Sequence, residues 1–232
     1  TDYLGSFTFE TEIILPRKNR LAQYGIVPFS GLTASVAGFH TLGTAYVHPT
    51  PNREVSVYVL KEATDTSLNP DESHRVRFML KGAFGELISE TYNYQYENNK
   101  WNLAVRLRHE NYPYGNVVGN VSNNYIAEFY GVEADGSTKR NSFYLSSSIT
   151  ANYFTDSKIF YAGAKRADVI DTLIYGTDIK LGFARYWHSY LSNDAIDQHA
   201  YDSETFGANE PFENDLVDTN PYEVPREKTL AF

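Results

Sequence analysis

Between Asp178 and Ala200 the chain reads DIKLGFARYWHSYLSNDAIDQHA, and this stretch restricts the fold more than any other. Ile179, Leu181 and Phe183 recur at every second position with Gly182 and Ala184 between them, which predicts a buried strand packed on both faces. Ser192 then stands where an N-cap would and Asp194 falls in the first turn. Ala195, Ile196, His199 and Ala200 follow at helical spacing, so one short helix is expected directly after a late core strand.

Most of the remaining chain alternates with the strand period of two. Gly5 to Leu15 sets Phe7, Phe9, Thr11, Ile13 and Leu15 against Thr8, Glu10 and Glu12, a half-buried opening strand ended by Pro16. Arg53 to Leu60 and His74 to Lys81 alternate Val55, Val57, Val59 and Val76, Phe78, Leu80, and read as antiparallel neighbours joined by the polar loop Thr64 to Ser73. Glu86 to Tyr96 places tyrosines 92, 94 and 96 on one face. Trp101, Leu103, Val105 and Leu107 alternate next, followed by Tyr125 to Val132, Phe143 to Ile149 and Lys158 to Gly163. Between Lys18 and Thr44 the period is weaker, with short strands expected near Tyr24 to Phe29 and Thr33 to Phe39. Nineteen tyrosines and fourteen phenylalanines against one methionine favour the same class, because aromatic side chains fit a pleated, half-buried surface. About ten strands at regular spacing predict an all-β chain folded as a two-sheet antiparallel sandwich with one short helix near the C-terminal end.

Three segments carry a resemblance to laminin-G-like, or concanavalin A-like, jelly rolls. The family's closing segment reads roughly Arg-Ile-Tyr-Asn-Arg-Ala-Leu-Ser-x-x-Glu-Ile; Arg185, Tyr186, Trp187, Leu191, Ser192 and Ile196 keep that pattern, whereas Ala195 replaces the acidic residue. Gly182, Phe183 and Ala184 sit where Asp-Glu-Val is usual. Trp101, Leu103, Val105 and Leu107 resemble the family's central strand, and Tyr125 to Val132 its strand and turn before the next hairpin. The resemblance implies a jelly roll over residues 1–201. Residues 202–232 hold Pro211, Pro221 and Pro225 among acidic residues, and read as an extended linker toward a further domain. Thr1 in place of methionine and the apolar ending Leu230-Ala231-Phe232 point to an excerpt of a longer protein.

Charge and composition exclude several roles. The formal charge is −9; residues 201–232 contribute eight acidic and two basic side chains, or −6, leaving −3 for the rest. Nucleic acid is not an expected partner of such a surface. No apolar run approaches the roughly 20 residues that cross a bilayer, so membrane insertion is not expected. Without cysteine, neither disulfides nor thiolate metal sites can form.

Enzymes occur on this fold, so catalytic patterns matter. Retaining glycosidases of the concanavalin-like class place Glu-x-Asp-x-x-Glu on one strand, where alternate carboxylates face each other about 5 Å apart. The nearest approach here, Glu213-Asn214-Asp215-Leu216-Val217-Asp218, ends in aspartate and lies in the Pro-containing tail, where a solvated charge run is the simpler reading. Nucleophile-elbow, zincin and phosphate-loop motifs are absent, and the six histidines lack metal-ligand spacing. Calcium is the cofactor that the resemblance allows, since many laminin-G-like domains carry it at the sandwich rim. Asp168, Asp171 and Asp178 are the candidate ligands, while Asp135-Gly136 reads as a hairpin turn that needs no metal. For carbohydrate, the loop His109 to Asn116 offers Tyr112 and Tyr114 as stacking faces and Asn116 as an amide partner, against the plainer reading of scaffold tyrosines.

The expected function is therefore non-enzymatic: a sandwich module of a larger virion-surface or extracellular structural protein, similar to concanavalin-like domains in structural proteins of large tailed phages. Its partners would be neighbouring protein subunits and surface glycans. A lectin domain is the alternative, and a glycoside hydrolase or lyase on the same fold is the third reading.

Overall fold

A computed structural model of the chain describes residues 6–17, 33–41, 54–61, 75–82, 84–112, 124–150, 158–166 and 172–206. Among these lie strands β1 (Phe7–Leu15), β2 (Thr33–Thr41), β3 (Val55–Lys61), β4 (Val76–Gly82), β5 (Gly85–Ile88) and β6 (Asn99–His109). Then come β7 (Asn124–Asp135), β8 (Thr138–Thr150), β9 (Lys158–Ala162), β10 (Lys165–Arg166), β11 (Leu173–Tyr175), β12 (Lys180–Trp187) and a single helix, α1 (Asn193–Tyr201).

The strands form two five-stranded antiparallel sheets, ordered β12-β1-β6-β7-β8 and β5-β4-β3-β2-β9, with β10 and β11 pairing as a small ribbon. The chain crosses between sheets after β1, β5, β8 and β11, so the expected two-sheet jelly-roll sandwich is the observed architecture. Alternation explains the closure. On β6 the inward set Trp101, Leu103, Val105 and Leu107 is buried against Val57, Val59, Phe78 and Leu80 of the facing sheet. At one end Phe78 lies 4.5 Å from the Trp101 ring and 5.5 Å from Phe143; at the other Phe9, Phe39 and Phe160 meet at 5.1 to 5.6 Å. The Trp101 indole N–H donates to Gln95 Oε1 at 2.6 Å, so the ring is buried without orphaning its donor.

The first sheet is covered on its outer face as well, where Ala104, Tyr130, Val132 and Trp187 pack against Leu191, Ala195, Ile196 and Ala200. Ser192 is the N-cap of α1, its Oγ accepting from Ala195 N at 3.2 Å, and Ala195, Ile196, His199 and Ala200 form the buried face, as their spacing predicts. Beneath this helix lies Glu10, whose carboxylate accepts from Trp187 Nε1 at 2.9 Å and Asn102 Nδ2 at 3.2 Å and meets His199 Nδ1 at 2.9 Å. The Arg185 guanidinium stands 3.8 Å away and ties down the chain after α1 by donating to the carbonyls of Ser203 and Thr205.

Three expectations are corrected. Strand β12 is an edge strand whose first half is exposed, Leu181 at 38 %; burial on it belongs to Arg185 and Trp187, because only the half under the α1 corner is covered. Strand β1 is buried on both faces rather than half-buried, because the segment after β12 and α1 lie over Thr8 and Glu10. Residues 86–96 are not one strand. After β5 the backbone turns, Tyr94 adopts a left-handed φ of 56° and is 70 % exposed, and only Tyr92 and Tyr96 point into the core.

Among the described residues no helix is long and apolar enough to cross a membrane. The expected strand at Tyr24 to Phe29, the loop between β3 and β4 and the acidic segment Glu213 to Asp218 lie outside the described residues.

Candidate functional site

The outward-facing side chains of β6, β7 and β8 are set by the same alternation. The register places Arg106 opposite Glu128 and Tyr130 opposite Tyr144, so opposite charges and two phenols share the outer face of the first sheet. Glu128 and Arg106 are fully buried there. The Arg106 guanidinium stands 3.0 Å from Glu128 Oε2 as a close charge pair rather than an aligned hydrogen bond, and Arg108 Nε donates to Oε1 at 2.7 Å. Tyr190 O–H donates to Oε2 at 2.9 Å, and Tyr144 also bonds this carboxylate.

Arg106 organises the corner around this pair. Its Nη1 donates to the Leu191 carbonyl at 2.9 Å, and its guanidinium lies 4.9 Å from the Tyr190 ring, 5.6 Å from Tyr130 and 5.7 Å from Tyr144. The segment joining β12 to α1 is thereby held against the sheet. Tyr112, just past β6, packs its ring 5.0 Å from that of Tyr190.

Between these groups lies a shallow, open cleft of about 560 Å3, lined by Tyr112, Tyr144 and Tyr190, by Arg108 and Glu128, and by Ser192, Asn193 and Asp194 at the start of α1. Tyr144 is 48 % exposed, and the three rim residues face solvent. Burial and Glu128 raise the Tyr190 phenol to about 12 against the pull of the Arg106 charge, and burial with the Glu128 bond raises Tyr144 also. Burial acts to lower Arg108, but its bond to Glu128 outweighs this and the guanidinium is held charged. Tyr144 and Tyr190 are therefore neutral phenols at ordinary pH, beside a carboxylate already occupied by cations and hydroxyls.

No family model matches this chain, and no curated protein matches it in sequence.

Of the expected carbohydrate residues, Tyr112 stands in this cleft, while Tyr114 and Asn116 lie outside the described residues. Of the expected calcium ligands, Asp168 and Asp171 lie outside them. Asp178 is buried against Lys61 Nζ and accepts from Tyr96 O–H at 3.0 Å; burial first, then this carboxylate, push the Tyr96 phenol far above its ordinary value. Its oxygens are thus engaged by a cation and a phenol. Among the described residues no group of three His, Asp or Glu side chains converges as a metal site. Asp135-Gly136 forms the β7–β8 turn, with Gly136 at φ 57° and Asp135 paired to Arg140.

Sequence reading missed Arg108, Glu128, Tyr144, Tyr190 and the rim residues. A signal was present: Arg106 and Glu128 are charges inside two otherwise apolar alternating strands, a pattern that requires a paired, covered location.

Proposed function

We propose that this chain is a non-enzymatic sandwich module of a larger virion-surface or extracellular structural protein, and that the tyrosine-walled cleft attaches it to a surface glycan. The observation that carries this reading is the convergence of Tyr112, Tyr144 and Tyr190 on a cleft edged by exposed Asn193 and Asp194. Sugar rings present an apolar C–H face and a hydroxyl edge, and aromatic walls with a few polar groups at the rim match both. The likeness of residues 185–196 to the closing segment of laminin-G-like and concanavalin A-like domains, including those of large tailed phages, supports the setting.

A binding role suits the carboxylates better than catalysis. Glycoside hydrolysis needs one carboxyl group that gives up a proton and a second that attacks or activates water. Glu128 is held by Arg106, Arg108 and Tyr190, and its oxygens are spent on anchoring the cleft wall. Contact with neighbouring subunits is a second role for the module, favoured by the exposed apolar side chains Leu173 (51 %) and Ile174 (48 %) on β11.

The test is a glycan array probed with the wild-type chain and with Tyr112→Ala and Tyr144→Ala. Glycans retained by the wild type are expected to lose about five- to tenfold in affinity on removing either ring, a stack being worth roughly 1 to 1.5 kcal/mol. An array that retains no glycan, or retention indifferent to both substitutions, refutes the attachment role and leaves subunit contact. Release of shortened sugar from a bound glycan refutes the non-enzymatic reading.

A further inference from the structure

The opposite face of the sandwich carries a second recess, of about 410 Å3, between the outward side chains of β3 to β5 and the ribbon β10–β11. The ribbon is pinned to the sheet at its base, where the chain enters β10 and leaves β11: Gly163 N donates to Val36 O at 2.7 Å and Ser35 N to Gly176 O at 2.9 Å, at the bulge in β2. We propose that this recess binds a neutral saccharide ring, independently of the tyrosine-walled cleft.

The polar floor is the reason. Lys165 is only 8 % exposed, and its ammonium donates to Glu54 Oε2 at 2.8 Å, Ser56 Oγ at 3.3 Å and Tyr58 O–H at 3.3 Å. Those acceptors use all three of its protons. Ser56 Oγ also accepts from Tyr161 O–H at 3.0 Å. Ser56 Oγ, accepting from two donors, has only its own proton left to give, and the Tyr58 hydroxyl, accepting from Lys165, keeps its proton to give as well, so both can act as donors. Glu54, whose oxygens meet His40 at 3.0 Å and Lys165 at 2.8 Å, and Glu86, whose Oε1 accepts from Lys81 at 2.7 Å, also line the recess, and each carboxylate has lone pairs beyond those bonds with which to accept. Above them Tyr175, 40 % exposed, meets Tyr58 edge-on at 5.3 Å and offers a ring face.

Charge selects the ligand class. Two lysines, 81 and 165, and two glutamates, 54 and 86, line the recess, and their formal charges cancel. An anion would face both carboxylates and a cation both ammonium groups. A ring with vicinal hydroxyls and one C–H face satisfies the set donors and the acceptors and stacks on Tyr175, and the volume lies in the range of small-molecule sites.

The test is saturation-transfer NMR on the full chain with glucose, galactose, mannose and N-acetylglucosamine at millimolar concentration, and with glucuronate and glucosamine as charged counterparts. At least one neutral sugar is expected to bind, and to bind equally to the Tyr112→Ala/Tyr144→Ala double variant, which removes only the first cleft. Tyr58→Phe, which keeps the ring and deletes the donor, and Tyr175→Ala, at an exposed position, are each expected to weaken it about tenfold. The proposal is overturned if no neutral sugar binds the wild type, if Tyr58→Phe and Tyr175→Ala, both folded by near-ultraviolet circular dichroism, bind unchanged, or if a charged counterpart binds more tightly. Loss of binding in the double variant alone would assign the sugar to the first cleft and likewise overturn it.

Discussion

Glu10 concentrates the outer layer of the molecule into one side chain. It is fully buried, and Trp187, His199, Asn102 and Arg185 all address its carboxylate. Removing one partner of a buried charged set leaves the others desolvated without compensation, typically about 3 to 5 kcal/mol. Glu10→Ala is therefore expected to lower the stability of the chain by that order, measured as the shift in urea midpoint at constant slope. Trp187→Phe, which shrinks a fully buried indole to a phenyl and deletes its N–H, leaves both a cavity and an unmet carboxylate lone pair, and is expected to cost about 2 to 4 kcal/mol. A loss below about 1 kcal/mol for Glu10→Ala would show that α1 is not held through this carboxylate. In the sequence Glu10 reads as the polar side of a half-buried strand. That its side is covered is a fact of residues nearly two hundred positions away, and no local period carries it.

Four central strands were legible from period alone: β3, β4, β6 and β7 stand where Val57, Phe78, Val105 and Phe129 alternate, whereas β2, equally central, has a weaker period. The expected run of tyrosines after residue 86 fails because Tyr94 and Asn98 take left-handed conformations, which alternation cannot encode. Strand β12 fails differently. Its apolar alternation is real, but an edge position covered over half its length leaves Leu181 in solvent. Two glycines separate these environments. A Cβ at Gly38 on β2 would sit 2.5 Å from the Val55 carbonyl oxygen and 2.7 Å from the Tyr161 hydroxyl, where backbone cannot yield. At Gly182 on β12 it would meet the carboxylate end of Glu12, a group that can swing. Gly38→Ala is thus expected to destabilise by about 1 to 3 kcal/mol or more and Gly182→Ala by distinctly less, read from paired thermal melts. Equal losses would contradict this placement of β2 against β3. The candidate site was legible only through Tyr112. The cleft needs β6, β7, β8 and the corner before α1 brought together, and their residues span more than eighty positions.

At the scale of the whole molecule, stability against pH follows from which groups the sandwich holds in one protonation state. Burial acts to raise Glu54, but the bonds from His40 and Lys165 outweigh it, and its folded pKa lies below the ordinary 4.5. A depressed carboxyl contributes stability that is present above the unfolded value and lost as pH falls through the folded one. The alkaline side has the opposite sign. Tyr190 and Tyr130 are raised from 10.0 to about 12, in both cases by burial first, then by Glu128 against Arg106 for Tyr190 and by Asp197 against Lys139 for Tyr130. Their contribution is complete below pH 10 and is lost as pH rises toward about 12. Unfolding midpoints measured across pH are expected to form a plateau bounded on both sides, with Glu54→Gln flattening only the acid limb and Tyr130→Phe only the alkaline one. Tyr130→Phe is the sharper arm, because it keeps the ring over which Lys139 and Arg106 sit and removes the proton whose loss opens that limb. An alkaline limb unchanged in that variant would mean that the Tyr130 phenol is not where high pH opens the fold.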